Sequence, residues 1–230
     1  MGSFTRKLRY LGAAALLVAG TVGWTAAVAS PAEACSLSSH CYGVVTGSAS
    51  GINGDYVFIT PSCLSTPSTN FVTDELWLVS SGASYWVEVG YLQLGSGLNL
   101  GGLTTAGRYG FWADKRPGDG FHAHVLQNNP SLSAGAPNEI YQLTSSTWQT
   151  YFNGYFGEST SNTMTASFGE WGSETTSSSA DSLHTGDTVE YRAGSTWNNG
   201  VPHPTTPRQN SPETFSWTTR YTSYKAGVPC

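Results

Sequence analysis

The chain reads as an all-β protein, an antiparallel sandwich or jelly roll of two packed sheets whose concave face forms a cleft. Three observations predict this. Short apolar segments recur along the chain, turn-forming pairs of Gly, Asn, Pro and Ser punctuate them closely, and no segment sustains a helical period.

The strands are predicted over 41–48, 55–60, 74–80, 85–94, 107–114, 120–127, 138–145, 147–156, 162–171, 188–193 and 213–221. Val44 and Val45 precede the small pair Gly47-Ser48 in the first. The second alternates Tyr56 and Phe58 with Val57 and Ile59, just after an Asn53-Gly54 turn. Leu76-Trp77-Leu78-Val79 marks the third, and Ser81-Gly82 divides it from the fourth, which is apolar on both faces. The turn Arg116-Pro117-Gly118-Asp119-Gly120 separates the fifth from the sixth, and Asn153-Gly154 is further turn chemistry downstream. Two stretches resist strand assignment: the Ser/Thr run 175–181 and the segment 200–212, which holds Pro202, Pro204, Pro207 and Pro212. Both read as surface loops, and the first is placed to border a cleft. No internal repeat and no second domain is evident over 35–230.

Residues 1–34 read as a secretory leader. Arg6, Lys7 and Arg9 form a basic start, an apolar stretch follows, and Ala32-Glu33-Ala34 fits a small-residue cleavage site. The protein is therefore expected to be secreted and extracellular, and free of the membrane once cleaved. Removing the leader takes three of the ten Lys and Arg and one of the fifteen acids, which leaves seven bases against fourteen acids, a net charge of −7. That balance disfavours nucleic acid and anionic membrane as partners. Cys35, Cys41, Cys63 and Cys230 form an even set in an exported chain, so two disulfides are expected, with three pairings open. A monomer is expected.

Charge is thin elsewhere, which draws attention to Glu88 in Tyr85-Trp86-Val87-Glu88-Val89-Gly90-Tyr91-Leu92. Trp86, Gly90 and Leu92 share its face, while Tyr85, Val87, Val89 and Tyr91 take the other. A carboxyl on such a surface must be paired, protonated or used. A second acidic segment, Phe168-Gly169-Glu170-Trp171-Gly172-Ser173-Glu174, lies downstream. In an unbroken strand its two glutamates share a face about 13 Å apart, so a bulge at Gly172 is the expected device for bringing one of them to Glu88. Two such carboxyls with unequal pKa values supply a general base for water and a general acid for a leaving group. The plainer reading gives Glu88 a buried salt bridge to an arginine such as Arg108, and leaves Glu170 and Glu174 solvated.

At these residues the chain resembles the neprosin-type glutamic peptidases. Phe71-Val-Thr-Asp-Glu-Leu-Trp77 followed by Trp86-Val-Glu88-Val-Gly-Tyr91 is similar to that family's Trp strand and Glu-x-Gly-aromatic strand. Tyr109-Gly-Phe-Trp112-Ala-Asp114 is similar to the aromatic strand that follows, and Glu170-Trp171-Gly172-Ser173-Glu174 to its Glu-Trp-Gly-Gly-Glu motif. The resemblance covers 42–174. It implies a two-sheet sandwich and a glutamate pair that hydrolyses peptides in acid, often next to proline. Carried over by position, Glu88 and Glu174 form the pair. The fungal-type glutamic peptidases, which pair a Gln with a Glu, resemble the chain more distantly and point to Glu170 as second choice.

Substrate contacts are expected from Trp77, Trp86 and Trp112, with Gln93 or a tyrosine as donor to the oxyanion. No cofactor is expected. His122 and His124 share a strand face without a third ligand, so no metal site is assigned. Two other readings compete with a peptidase acting on peptide or protein. One is a jelly-roll glycoside hydrolase, which also uses paired carboxyls and Trp platforms. The other is a secreted, non-catalytic binding module.

Overall fold

The computed structural model describes residues 35–230, so the expected leader at 1–34 lies outside the described residues. The strands follow in chain order as β1 (Cys41–Gly47), β2 (Ile52–Pro61), β3 (Phe71–Ser80), β4 (Trp86–Leu94), β5 (Gly107–Lys115), β6 (Phe121–Asn128), β7 (Ala136–Thr144) and β8 (Thr147–Phe152). They continue as β9 (Tyr155–Thr160), β10 (Ala166–Thr175), β11 (His184–Ala193), β12 (Thr196–Asn199), β13 (Arg208–Gln209), β14 (Thr214–Thr219) and β15 (Ser223–Gly227). Among the described residues no helix is long and apolar enough to cross a membrane.

Two antiparallel sheets pack face to face, as predicted. One runs β13-β1-β10-β3-β4-β5-β6, and the other β14-β15-β11-β2-β7-β8-β9 with β12 paired to β11. Strands adjacent in sequence, such as β3-β4-β5-β6, form a meander, while β10 returns between β1 and β3. Val57, Ile59, Ile140, Trp148 and Phe152 of the second sheet meet Leu76, Leu78, Val87, Val89, Tyr91 and Trp171 of the first in a dry layer. Burying that apolar surface is the main favourable term in the fold. Every residue of β3 is buried, because one face lies in this layer and the other forms the floor of a cleft.

The expected strand 147–156 is two strands. Asn153 and Gly154 both adopt positive φ, 51° and 83°, the requirement of a tight hairpin turn, and the turn chemistry overrides the apolar run. Likewise 213–221 covers only β14 of a hairpin completed by β15, and 162–171 is displaced to β10 at Ala166–Thr175. β12 and β13 lack an apolar pattern and were not predicted. The loop reading of 200–212 otherwise holds, with only the two-residue β13 inside it.

Of the three pairings left open, the chain adopts Cys35–Cys41 and Cys63–Cys230. The second spans 167 residues and restricts the unfolded chain over most of its length. Replacing Cys63 and Cys230 together by serine is expected to lower unfolding free energy by about 2–5 kcal/mol, seen as a lower urea midpoint.

Candidate active site

The cleft has a volume of about 690 Å³ and lies on the outer face of the β13-to-β6 sheet. Strand register fixes what stands next to what. Trp77 on β3 pairs with Glu170 on β10 and with Glu88 on β4, giving a row Glu170, Trp77, Glu88 across three strands. Two residues along, Glu75 pairs with Gly172 and Gly90; two further, Thr73 pairs with Glu174 and Leu92. Side chains two apart on a strand share a face, so Glu88, Glu75 and Glu174 form a diagonal line across β4, β3 and β10. All three line the cleft.

The positions beside Glu75 carry no side chains, which leaves the middle of the diagonal open above the floor. Gly90 is obligatory there: a Cβ at this site would lie 2.3 Å from the Asp74 carbonyl oxygen and 2.4 Å from the Cβ of Glu75. Around the acids stand Tyr42, Phe71, Trp77, Trp86, Phe121 and Phe168. Lys115 lies over the Trp86 ring at 5.2 Å, and Arg208 over Tyr42 at 3.9 Å.

Burial dominates the electrostatics. Glu88 is 6 % exposed and Glu75 1 %, and desolvation pushes both upward, Glu88 to about 8 and Glu75 well above the ordinary carboxyl range. Proximity to Glu174 adds to both shifts. The indole N–H groups of Trp77 and Trp86 act in the opposite sense on Glu88, although Trp86 Nε1 makes no hydrogen bond of normal geometry. Oε2 of Glu75 is buried without a hydrogen-bond partner among the described residues, in keeping with a carboxyl that burial favours in its neutral form. Glu174 hydrogen-bonds Nδ1 of His40. Glu170, raised chiefly by burial, accepts from Thr46 Oγ1 at 3.0 Å and lies 3.9 Å from Arg208.

Behind the site, on the face that meets the second sheet, the alternate residues are also polar. Asp74 Oδ1 pairs with His184 Nδ1 of β11 at 2.9 Å, and Ser173 Oγ donates to Glu213 Oε2 at 2.6 Å. Glu75 and Glu174 thus each sit one residue from an interior hydrogen bond that pins the backbone beneath them.

The structure brings Glu88, Glu170, Glu174, Trp77 and Trp86 to one cleft. Glu88 is not tied to Arg108, whose Nη2 donates to Asn129 Oδ1 at 2.7 Å on the other side of the sheet. β10 stays in register through Gly172, so no bulge changes the phase there and both downstream glutamates remain on the cleft face. Trp112 and Gln93 do not belong to the site. Each lies one residue out of phase with the cleft face of its strand; Trp112 sits in the core layer stacked on His124 with centroids 4.2 Å apart, and Gln93 lies at the end of β4. His122 contacts Asp119 at 3.0 Å. Glu75, Tyr42 and His40 were not singled out from sequence. Glu75 was within reach, since it stands two before Trp77 and must share its face.

No protein-family model matches the chain, and no curated protein matches it in sequence. In fold it is similar to a crystal structure of scytalido-glutamic peptidase with a peptide-based transition-state analogue, at TM-score 0.56 and 9 % identity, covering 82 % of this chain and 98 % of that one. It is also similar to SCP-B, a member of the eqolisin family of peptidases, in complex with the tripeptide Ala-Ile-His, at TM-score 0.50 and 10 % identity, covering 85 % and 98 %. At such identity the likeness is one of fold.

The buried acids set how stability depends on pH. Glu88 and Glu213 both rise to about 8 in the folded chain from an ordinary 4.5, so between these values the folded state binds more protons than the unfolded one. Their contribution is fully present below about pH 4.5 and is lost as pH rises toward about 8, at no more than roughly 1.4 kcal/mol per pH unit for each group. Urea midpoints are expected to fall from pH 4 to pH 8 for the parent protein, and to fall less steeply for Glu213→Gln.

Proposed function

We propose that the cleft is the active site of a secreted, acid-acting glutamic endopeptidase in which Glu88 and Glu174 drive the attack of water on a peptide carbonyl. The observation that carries this reading is the diagonal of buried carboxyls, Glu88, Glu75 and Glu174, along the floor of an aromatic-walled cleft. Unequal environments divide the roles. Glu88, desolvated and raised to about 8, is the acid; Glu174, hydrogen-bonded to His40, is the base. Glu170 is the less suitable partner, because the Trp77 indole stands between it and Glu88 and it is already engaged by Thr46 and Arg208.

In the reaction, Glu174 accepts a proton from water as the water oxygen bonds to the carbonyl carbon. The negative charge collects on the former carbonyl oxygen, for which the cleft's Trp86 Nε1–H is a candidate donor. Collapse of this tetrahedral species breaks the C–N bond, Glu88 gives its proton to the departing nitrogen, and the proton held by Glu174 restores Glu88. Glu75, whose proton is favoured by burial, lies between the two acids on β3. No covalent bond to the protein forms.

Peptide as substrate class is supported by the fold's likeness to peptidases solved with peptide-derived ligands. The neprosin-type reading is supported by a glutamate, rather than a glutamine, at position 88. The flat indoles of Trp77 and Trp86 beside Glu88 suit a proline ring next to the scissile bond. Two disulfides suit an oxidising, extracellular setting.

Hydrolysis of a quenched fluorescent peptide library, including proline-containing members, is expected to proceed at acid pH and to decline as the pH rises through about 8, where Glu88 loses its proton. Glu88→Gln and Glu174→Gln should each lower kcat/KM by about a hundredfold to ten-thousandfold, whereas Glu170→Gln should leave at least a tenth of it. A protein that releases reducing sugar instead, or that cleaves equally well with Gln at 88 and 174, has a different function.

A further inference from the structure

His40 stands at the end of the carboxyl diagonal and has no part in the hydrolytic steps. Its Nδ1 hydrogen-bonds Oε1 of Glu174, and its Nε2 lies 3.2 Å from the carbonyl oxygen of Leu37. A carboxylate and a carbonyl only accept. With Glu174 ionised, both contacts are hydrogen bonds only if both ring nitrogens carry hydrogen, which makes His40 an imidazolium. The contact with Glu174 raises the His40 pKa against the lowering effect of burial. Phe71 meets the ring edge-on with centroids 5.4 Å apart and fixes its plane.

One small loop presents both His40 and the Leu37 carbonyl. The Cys35–Cys41 disulfide closes it, paired backbone hydrogen bonds between Ser36 and Ser39 brace it, and Cys41 begins β1. The charged groups around Glu174 are otherwise mostly acids: Glu75 on β3, Glu88 on β4, Glu170 on β10 and Glu213 just before β14. The Tyr42 hydroxyl of β1 is close, and Arg208 of β13 lies against Glu170 and the Tyr42 ring. Among the described residues, His40 is the basic side chain in direct contact with Glu174.

We propose that the Cys35–Cys41 loop is a positioning clamp: its His40, as imidazolium, fixes the rotamer of Glu174 and keeps it a carboxylate amid the neighbouring acids, so that Glu174 serves as base and Glu88 as acid. This deepens the glutamate-pair reading and rests on it. His40 acts through Glu174 and does not touch the reacting atoms. Without the clamp the pair loses the part of its asymmetry that Glu174 supplies, while the burial of Glu88 remains. The predicted mark of its removal is a change in where on the pH scale the enzyme works.

The test has two arms. In the first, the ring Cε1–H signal of His40, assigned by its loss in His40→Gln, is followed by NMR across pH 4–9. It is expected to titrate above 6.5 in the parent protein, and about one unit or more lower in Glu174→Gln. Titration at or below 6.5, or no change in Glu174→Gln, overturns the clamp. In the second, kcat/KM is measured against pH for the parent, His40→Gln and Cys35→Ser/Cys41→Ser. The acid limb is expected to move upward by about one pH unit in His40→Gln, and in the same direction in the loop-opened variant. A uniform drop at all pH values, with the limb unmoved, marks His40 as mere packing and overturns the proposal. A parent protein without peptidase activity at any pH refutes the function instead, and the NMR arm still decides whether His40 holds Glu174.

Discussion

The structure depends on how a strand can serve two environments at once. β3 and β10 each present a carboxyl to the cleft and, one residue away, a polar side chain to the layer between the sheets. There Asp74 is held by His184 and Ser173 by Glu213. An unsatisfied buried polar group costs on the order of 1–3 kcal/mol, so these interior bonds are expensive to break and resist any slip in register. A slip of one residue would turn Glu75 and Glu174 into the core and Asp74 and Ser173 into the cleft. The back face of the sheet therefore determines the geometry of the front.

The cleft in turn depends on where side chains are missing. Gly90 and Gly172 flank Glu75 on its row, and a side chain at 90 would collide with β3. The acids are crowded along the diagonal but open above it, with bulky rings to either side. Such a surface keeps its carboxyls away from water until a ligand displaces what solvent remains, and it raises their affinity for protons by the same means. Composition follows from this: a chain with few charged residues places a disproportionate share of its acids where water is scarce.

Much of the fold was legible in the sequence because strands on a sandwich obey a period of two, and that period alone put Glu88 on an aromatic face. The second acidic segment is visible in the sequence but its geometry is not: nothing along one strand shows that β3 lies between it and Glu88 and places Glu75 on the line from Glu88 to Glu174. Trp112 looked like a cleft residue because residue type says nothing of phase; set against Ala113 and Phe111 on the same strand, its position turns inward. β12 and β13 carried no apolar signal, since their pairing is backbone hydrogen bonding at an edge. His40 was invisible for another reason. Its role depends on a loop closed by a disulfide whose partner could not be chosen from spacing.

Lys115 has a practical consequence. Only two lysines, Lys115 and Lys225, fall within 35–230, and the first lies over the Trp86 indole at the mouth of the cleft. Amine-directed chemistry therefore has few sites to choose from, and one of them adjoins a natural fluorophore. A dye coupled there would sit against that ring, at the edge of the cleft, without an engineered attachment site.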